Sequence, residues 1–101
     1  MIITYIICKN KNEAKKISKH LLKKRLIACG NIIQNVESLY WWKGKIVNDK
    51  EVILLCKTKE KKFNEIKKEV EKIHSYEIPC ILKINVKANE KYLKWLEGEV
   101  N

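Results

Sequence analysis

Glycine, proline and arginine are nearly missing from this chain, which has three glycines, one proline and a single arginine, Arg25, in 101 residues. So few chain breakers exclude long flexible linkers and low-complexity tracts, and no internal repeat is visible, so a single domain over residues 1–101 is expected. The shortage of arginine bears on function. The net charge is +10, but lysine carries almost all of it, spread over helical faces, whereas phosphate and base recognition lean on arginine forks. A solvated lysine surface is therefore expected rather than specific nucleic-acid recognition, with anionic small molecules as a compatible ligand class. Cys8, Cys29, Cys56 and Cys80 include no C-x-x-C pair, which argues against a zinc finger or a disulfide framework. No apolar stretch approaches the roughly 18 residues of a membrane span. Met1 to Tyr5 enters strand-like sequence without a charged leader, so a reducing cytoplasm is the expected setting, away from membranes.

What is present is an orderly series of apolar runs. Ile2 to Cys8 is short and β-branched and predicts a buried strand. Asn10 with Glu13 three residues on has the capping-box arrangement, and Ala14, Ile17, Leu21 and the Leu22 to Ile27 region supply the apolar stripe of an amphipathic helix. Cys29 to Trp42 mixes apolar and polar residues as a partly exposed strand does. A third strand follows from Lys45 to Lys57, with a turn or bulge expected at Asn48-Asp49. Thr58 is placed to cap a second helix, whose stripe of Phe63, Ile66, Val70 and Ile73 ends near His74. Ile78-Pro79 halts helical structure, and Ile81 to Val86 predicts a fourth strand. From Asn89 a short final helix turns Tyr92, Leu93 and Leu96 inward, with Trp95 beside them.

The resulting order, β-α-β-β-α-β plus a C-terminal helix, predicts an α+β, ferredoxin-like fold: two helices on one face of an antiparallel sheet of order 4-1-3-2. That topology brings Cys8 near Cys80 at one end and Cys29 near Cys56 and Lys57 at the other. The middle strands, about 13 or 14 residues each at roughly 3.3 Å per residue, overhang a small core. Their tip, Ser38-Leu39-Tyr40-Trp41-Trp42-Lys43-Gly44-Lys45-Ile46, reads as a β-hairpin carrying two of the three tryptophans. Aromatics so far out are expected to meet another surface, and a closed homo-oligomer is the favoured solution.

The runs Arg25-Leu26-Ile27-Ala28-Cys29-Gly30-Asn31-Ile32, Ser38 to Ile46, Lys57-Thr58, His74-Ser75-Tyr76-Glu77-Ile78-Pro79 and Tyr92-Leu93-Lys94-Trp95-Leu96 together resemble the CutA divalent-cation tolerance family over essentially the whole chain. The resemblance implies a compact homotrimer joined by extended strands, similar in architecture to the PII signalling proteins, with binding of copper or another divalent metal ion and a part in the response to metals. It implies no enzymatic reaction. The positions matching the family pattern that could carry a site are Cys29, Trp42, Lys57, His74, Glu77, Tyr92 and Trp95. One departure is Pro79-Cys80-Ile81, where the family commonly reads Pro-Glu-Ile.

Thiolate and imidazole suit copper and zinc, so Cys29, His74 and Glu77 form the expected metal set. Since the topology parts Cys29 from His74, a joint site needs a neighbouring subunit. Cys8 and Cys80 are a possible second soft cluster. Tyr40, Trp41, Trp42, Lys57, Tyr92 and Trp95 are expected to line a cleft or interface. Nothing assembles a Ser-His-Asp order or a Gly-rich phosphate loop, so no catalysis is expected. Two alternatives stay open: a PII-like module binding a small anion between subunits, and an RNA-binding ferredoxin-like domain, which would carry its aromatics on the central strands.

Overall fold

The computed structural model describes all residues, 1–101. Strand β1 (Ile2–Cys8) leads to helix α1 (Lys11–Lys23), strands β2 (Cys29–Trp42) and β3 (Lys45–Thr58), a 3-10 turn at Glu60–Lys62, helix α2 (Phe63–Ile73), strand β4 (Ile81–Asn85) and helix α3 (Glu90–Glu99). The sheet order is β2-β3-β1-β4, antiparallel throughout, as the ferredoxin-like reading requires.

Strand β1 shows why one face is core. Its even residues, Ile2, Thr4, Ile6 and Cys8, are all fully buried, and its odd residues are half-buried. The even face meets Ala14, Ile17 and Leu21 of α1 and Ile66 and Val70 of α2, with Leu54 and Cys56 beside them on β3. Each such Leu or Ile removed from water contributes about 1.5–3 kcal/mol. On the opposite face the register aligns Ile3, Tyr5 and Ile7 with Lys57, Leu55 and Ile53 of β3, and Tyr5 and Ile3 with Leu82 and Ile84 of β4. No helix covers the half-exposed Leu82, Ile84 and Ile33 on that side.

Asn10 caps α1 by accepting the Glu13 N–H at 2.9 Å. Glu13 does not complete the capping box, since its Oε1 accepts from the Lys9 N–H instead, at 2.9 Å. The helix ends earlier than its apolar run, because Arg25 adopts φ 58 and turns the chain so that Leu26 and Ile27 enter the core from a loop. Thr58 is no helix cap. It is the last residue of β3, fully buried, and its hydroxyl donates to the Leu26 carbonyl at 2.5 Å.

The long ribbon is present, 14 residues in each strand, in a molecule 45 × 25 × 21 Å across. It turns at Lys43-Gly44, both with positive φ (49 and 78), the two-residue turn that matches strand twist. The expected bulge is displaced. β3 runs unbroken through Asn48 and Asp49, and the irregularity lies on β2 between Ile33 and Val36, where Asn35 takes φ 62. Asparagine tolerates that conformation better than other L-residues with a Cβ. Asn48 and Asp49 instead serve side-chain bonds, Asn48 to Glu37 at 3.2 Å and Asp49 to the Tyr40 hydroxyl.

Helix α3 closes the other end. Leu96 is buried, Arg25 bonds Glu99 at 2.7 Å, and the Asn101 N–H donates to the Arg25 carbonyl at 3.1 Å.

Candidate functional site

Three side chains of metal-ligating type converge where β1 ends. Cys8, Glu13 and His74 each present a ligand atom within 4.8 Å of the others. Their positions follow from local structure. Cys8 is the last inward residue of β1, Glu13 stands in the first turn of α1, and His74 is the residue at which α2 stops. The His74 side chain has no solvent exposure. Its Nε2 lies 2.7 Å from the Ile7 carbonyl, and its Nδ1 accepts from the Tyr76 N–H at 3.0 Å. A carbonyl can only accept and an amide can only donate, so the ring is neutral with its proton on Nε2.

Glu13 ties this corner together. Oε1 takes the Lys9 N–H and Oε2 the Ser75 N–H, both at 2.9 Å, with His74 Nδ1 at 4.0 Å. Burial raises its pKa, but the Ser75 and Lys9 hydrogen bonds outweigh burial and hold the carboxyl below its usual range. Cys8 behaves in the opposite sense: burial, reinforced by the Glu13 charge, pushes its thiol up to about 12. The corner is thus a carboxylate, a neutral imidazole and a protonated thiol.

Of the residues singled out in the sequence, His74 and Cys8 enter this cluster and Cys29, Glu77 and Cys80 do not. Cys29 opens β2 at the far end of the sheet, opposite Lys57 in the register, its thiol 3.7 Å from Asn31 Oδ1. Glu77 is exposed, and Cys80 precedes β4, its carbonyl accepting from the Ile7 N–H at 3.4 Å. Glu13 escaped notice as a site residue because sequence shows it only as a helix-start carboxylate; its partner Ser75 lies 62 residues away.

Beside this corner the hairpin and the segment after α2 enclose a cleft of about 740 Å³. Tyr40, Trp41 and Trp42 of β2 form one wall, and Tyr76, Ile78 and Cys80 form another. Glu51 of β3 lies between them, accepting the Tyr76 hydroxyl at 2.5 Å. Burial and that bond to Glu51 raise the phenol of Tyr76 above its ordinary value. The other expected lining residues are elsewhere: the Lys57 ammonium sits 5.7 Å from the Tyr92 ring, and Tyr92 packs on Trp95 with centroids 5.5 Å apart, at the α3 end.

Fold and site together define a small α+β protein of ferredoxin-like topology, with thiol, carboxylate and imidazole gathered at one sheet end under a projecting aromatic hairpin. Residues 2–99 match the model of the family described as CutA1 divalent ion tolerance protein. The divalent-cation tolerance protein CutA of Pyrococcus horikoshii is 45% identical over 100 residues, which span 98% of this chain and 97% of that protein. The crystal structure of CutA1 from Pyrococcus horikoshii superimposes with a TM-score of 0.95 at 43% identity, covering 100% of this chain and 99% of that one. A structure of the periplasmic divalent cation tolerance protein CutA from Archaeoglobus fulgidus gives 0.96 at 38% identity, with both chains covered in full. The chain belongs to the CutA1 divalent ion tolerance family. That description names ion tolerance and no reaction, and no helix here is long and apolar enough to cross a membrane.

Proposed function

We propose that this chain, as one CutA-like domain, is a non-catalytic homotrimeric protein that binds copper or another divalent metal ion in the response to metals. The observation that carries the reading is the meeting of Cys8, Glu13 and His74 within 4.8 Å. A soft thiolate with an imidazole suits copper and zinc, and a carboxylate completes a set common for zinc. This reading keeps His74 from the expected set and replaces Cys29 and Glu77 by Cys8 and Glu13, which need no neighbouring subunit. Capture of an ion requires the Cys8 proton to leave and the Nδ1 lone pair of His74 to be freed, whereas each Glu13 oxygen accepts one amide and keeps a second lone pair. The amide on Nδ1 belongs to Tyr76, so movement of the short segment after α2 releases it. Uptake then releases a proton and strengthens as pH rises.

The trimer is supported by the uncovered apolar sheet face and by the free edges of β2 and β4. A cytoplasmic setting accords with four free cysteines. Native mass spectrometry of the reduced protein during Cu(I) and zinc titrations tests both parts. The expected spectrum is a trimer saturating at one ion per chain, with uptake abolished by Cys8→Ser and unaffected by Cys29→Ser. Uptake lost with Cys29→Ser alone would return the site to the subunit boundary. A trimer that takes up no ion would refute the metal reading and leave the family assignment intact.

A further inference from the structure

Helix α1 carries its charge on one side. Residues 11–25 hold seven of the chain's 22 lysines and arginines and a single acid, Glu13, which is buried and turned onto the Lys9 and Ser75 amides. Lys11, Lys15, Lys16, Lys19 and Lys23 are all exposed, and none of them enters an ion pair. At roughly 100° per residue the five fall within an arc of about 140°, on the side opposite the buried Ala14, Ile17 and Leu21. Lys11, Lys15, Lys19 and Lys23 follow at a spacing of four, a ridge with an axial rise of about 18 Å at roughly 1.5 Å per residue. Like charges at that spacing destabilise a helix, and Lys11 in the first turn also opposes the helix dipole. Helix α2 avoids this cost, since Glu65, Glu69 and Glu71 interleave with its lysines.

The surroundings say what would relieve the repulsion. Because Ala14, Ile17 and Leu21 join the core, the lysine ridge points away from the sheet, on the side opposite the sheet face that association would use. Charges spread over about 18 Å cannot converge on one small anion, whereas an extended polyanion meets them all. Leu22 is the one exposed large apolar residue of α1, so the helix has no free apolar face with which to lie in an anionic membrane. It also exposes no aromatic ring on which the bases of a single strand could stack, and its ridge has no arginine fork for reading base edges. Lysines acting as point charges suit the regularly spaced phosphates of a duplex, which position a protein and carry no sequence information.

We propose that the outer face of α1 binds the phosphate backbone of duplex nucleic acid without sequence preference, through Lys11, Lys15, Lys16, Lys19 and Lys23. No metal takes part, and the ridge stays open whether or not subunits associate through the opposite sheet face.

Fluorescence anisotropy of the full-length reduced protein in EDTA, with labelled DNA duplexes of two unrelated sequences as probes, tests the proposal. The two duplexes should bind alike, within about threefold, with a logarithmic salt slope of about −3 to −5 between about 50 and 200 mM, each lysine releasing close to one counterion. Lys15→Gln with Lys19→Gln should weaken binding at least about fivefold and make the slope shallower by about 2, while thermal stability holds or rises because like-charge repulsion is relieved. Lys91→Gln with Lys94→Gln on α3, the same loss of charge elsewhere, should change affinity by less than about twofold. No binding at the lower salt, equal losses in the two variant pairs, or a preference of about tenfold or more for one sequence overturns the proposal. So does capture of phosphatidylserine vesicles through Lys15 and Lys19 where the duplex is not bound, since the face would then be a membrane surface. Should the first pair fail to fold, Lys11→Gln with Lys23→Gln reads the same ridge. EDTA keeps the outcome independent of the metal reading.

Discussion

Glu69 concentrates more charge than any other side chain of the molecule: His20 at 2.8 Å, Lys24 at 3.0 Å and Lys72 at 3.3 Å all reach its carboxylate. Hydrogen bonds from His20, then Lys24 and Lys72, take its pKa from 4.5 down to about 2. Because the folded value is the lower one, the stabilisation is fully present above the ordinary carboxyl range and is lost as pH falls through about 2. Glu69→Gln should therefore lower stability at neutral pH and flatten its decline in acid. Urea unfolding followed at several pH values down to about 2 checks this; an unchanged acid limb would mean that the three cations do not act through Glu69. Nothing in the sequence of α1 signals the His20 contact, because the α1 to α2 packing that gives it Glu69 spans 49 residues. Asn10 as a helix cap was legible, since both partners lie within one turn. The same locality explains why His74 stood out as a histidine while its neutral, doubly bonded state did not: Ile7 is 67 residues away.

Element positions were the most legible part, because strand and helix periodicities are local. The sheet order, the overhanging ribbon and the pairing of Cys29 with Lys57 all match the structure. The misplaced bulge shows what periodicity lacks: Asx residues mark both Asn35 and Asn48-Asp49, and only the pairing of β2 with β3 selects between them. Packing between α1 and β2 gives a sharper test. A Cβ on Gly30 would collide with the Ser18 hydroxyl and lie 3.2 Å from Ser18 Cβ and 3.4 Å from Leu54 Cδ1. Gly30→Ala should cost about 1–3 kcal/mol through overpacking. In a Ser18→Ala background, which removes the colliding oxygen, the same change should cost at most about 1 kcal/mol. Equal penalties in both backgrounds, by chemical denaturation, would place the constraint on the backbone of β2 instead.

On the scale of the whole molecule, the core is one-sided. Helices seal the even face of β1, while Ile3, Tyr5 and Ile7 with their neighbours on β3 and β4 face outward. An apolar sheet face of this kind favours association, which supports the proposed trimer. Leu82→Lys, at a half-exposed position of that face, should leave the subunit folded and shift sedimentation from trimer toward monomer. A trimer unaffected by this charge would mean that assembly uses the hairpin and strand edges alone.

In the proposed metal site, Cys8, Glu13 and His74 together hold one ion. X-ray absorption at the zinc edge of the loaded, reduced protein addresses it most directly. One sulfur at about 2.3 Å and one imidazole nitrogen at about 2.0 Å are expected per zinc, with the sulfur shell absent in Cys8→Ser. A shell of two or more sulfurs, or one that survives Cys8→Ser, would contradict it.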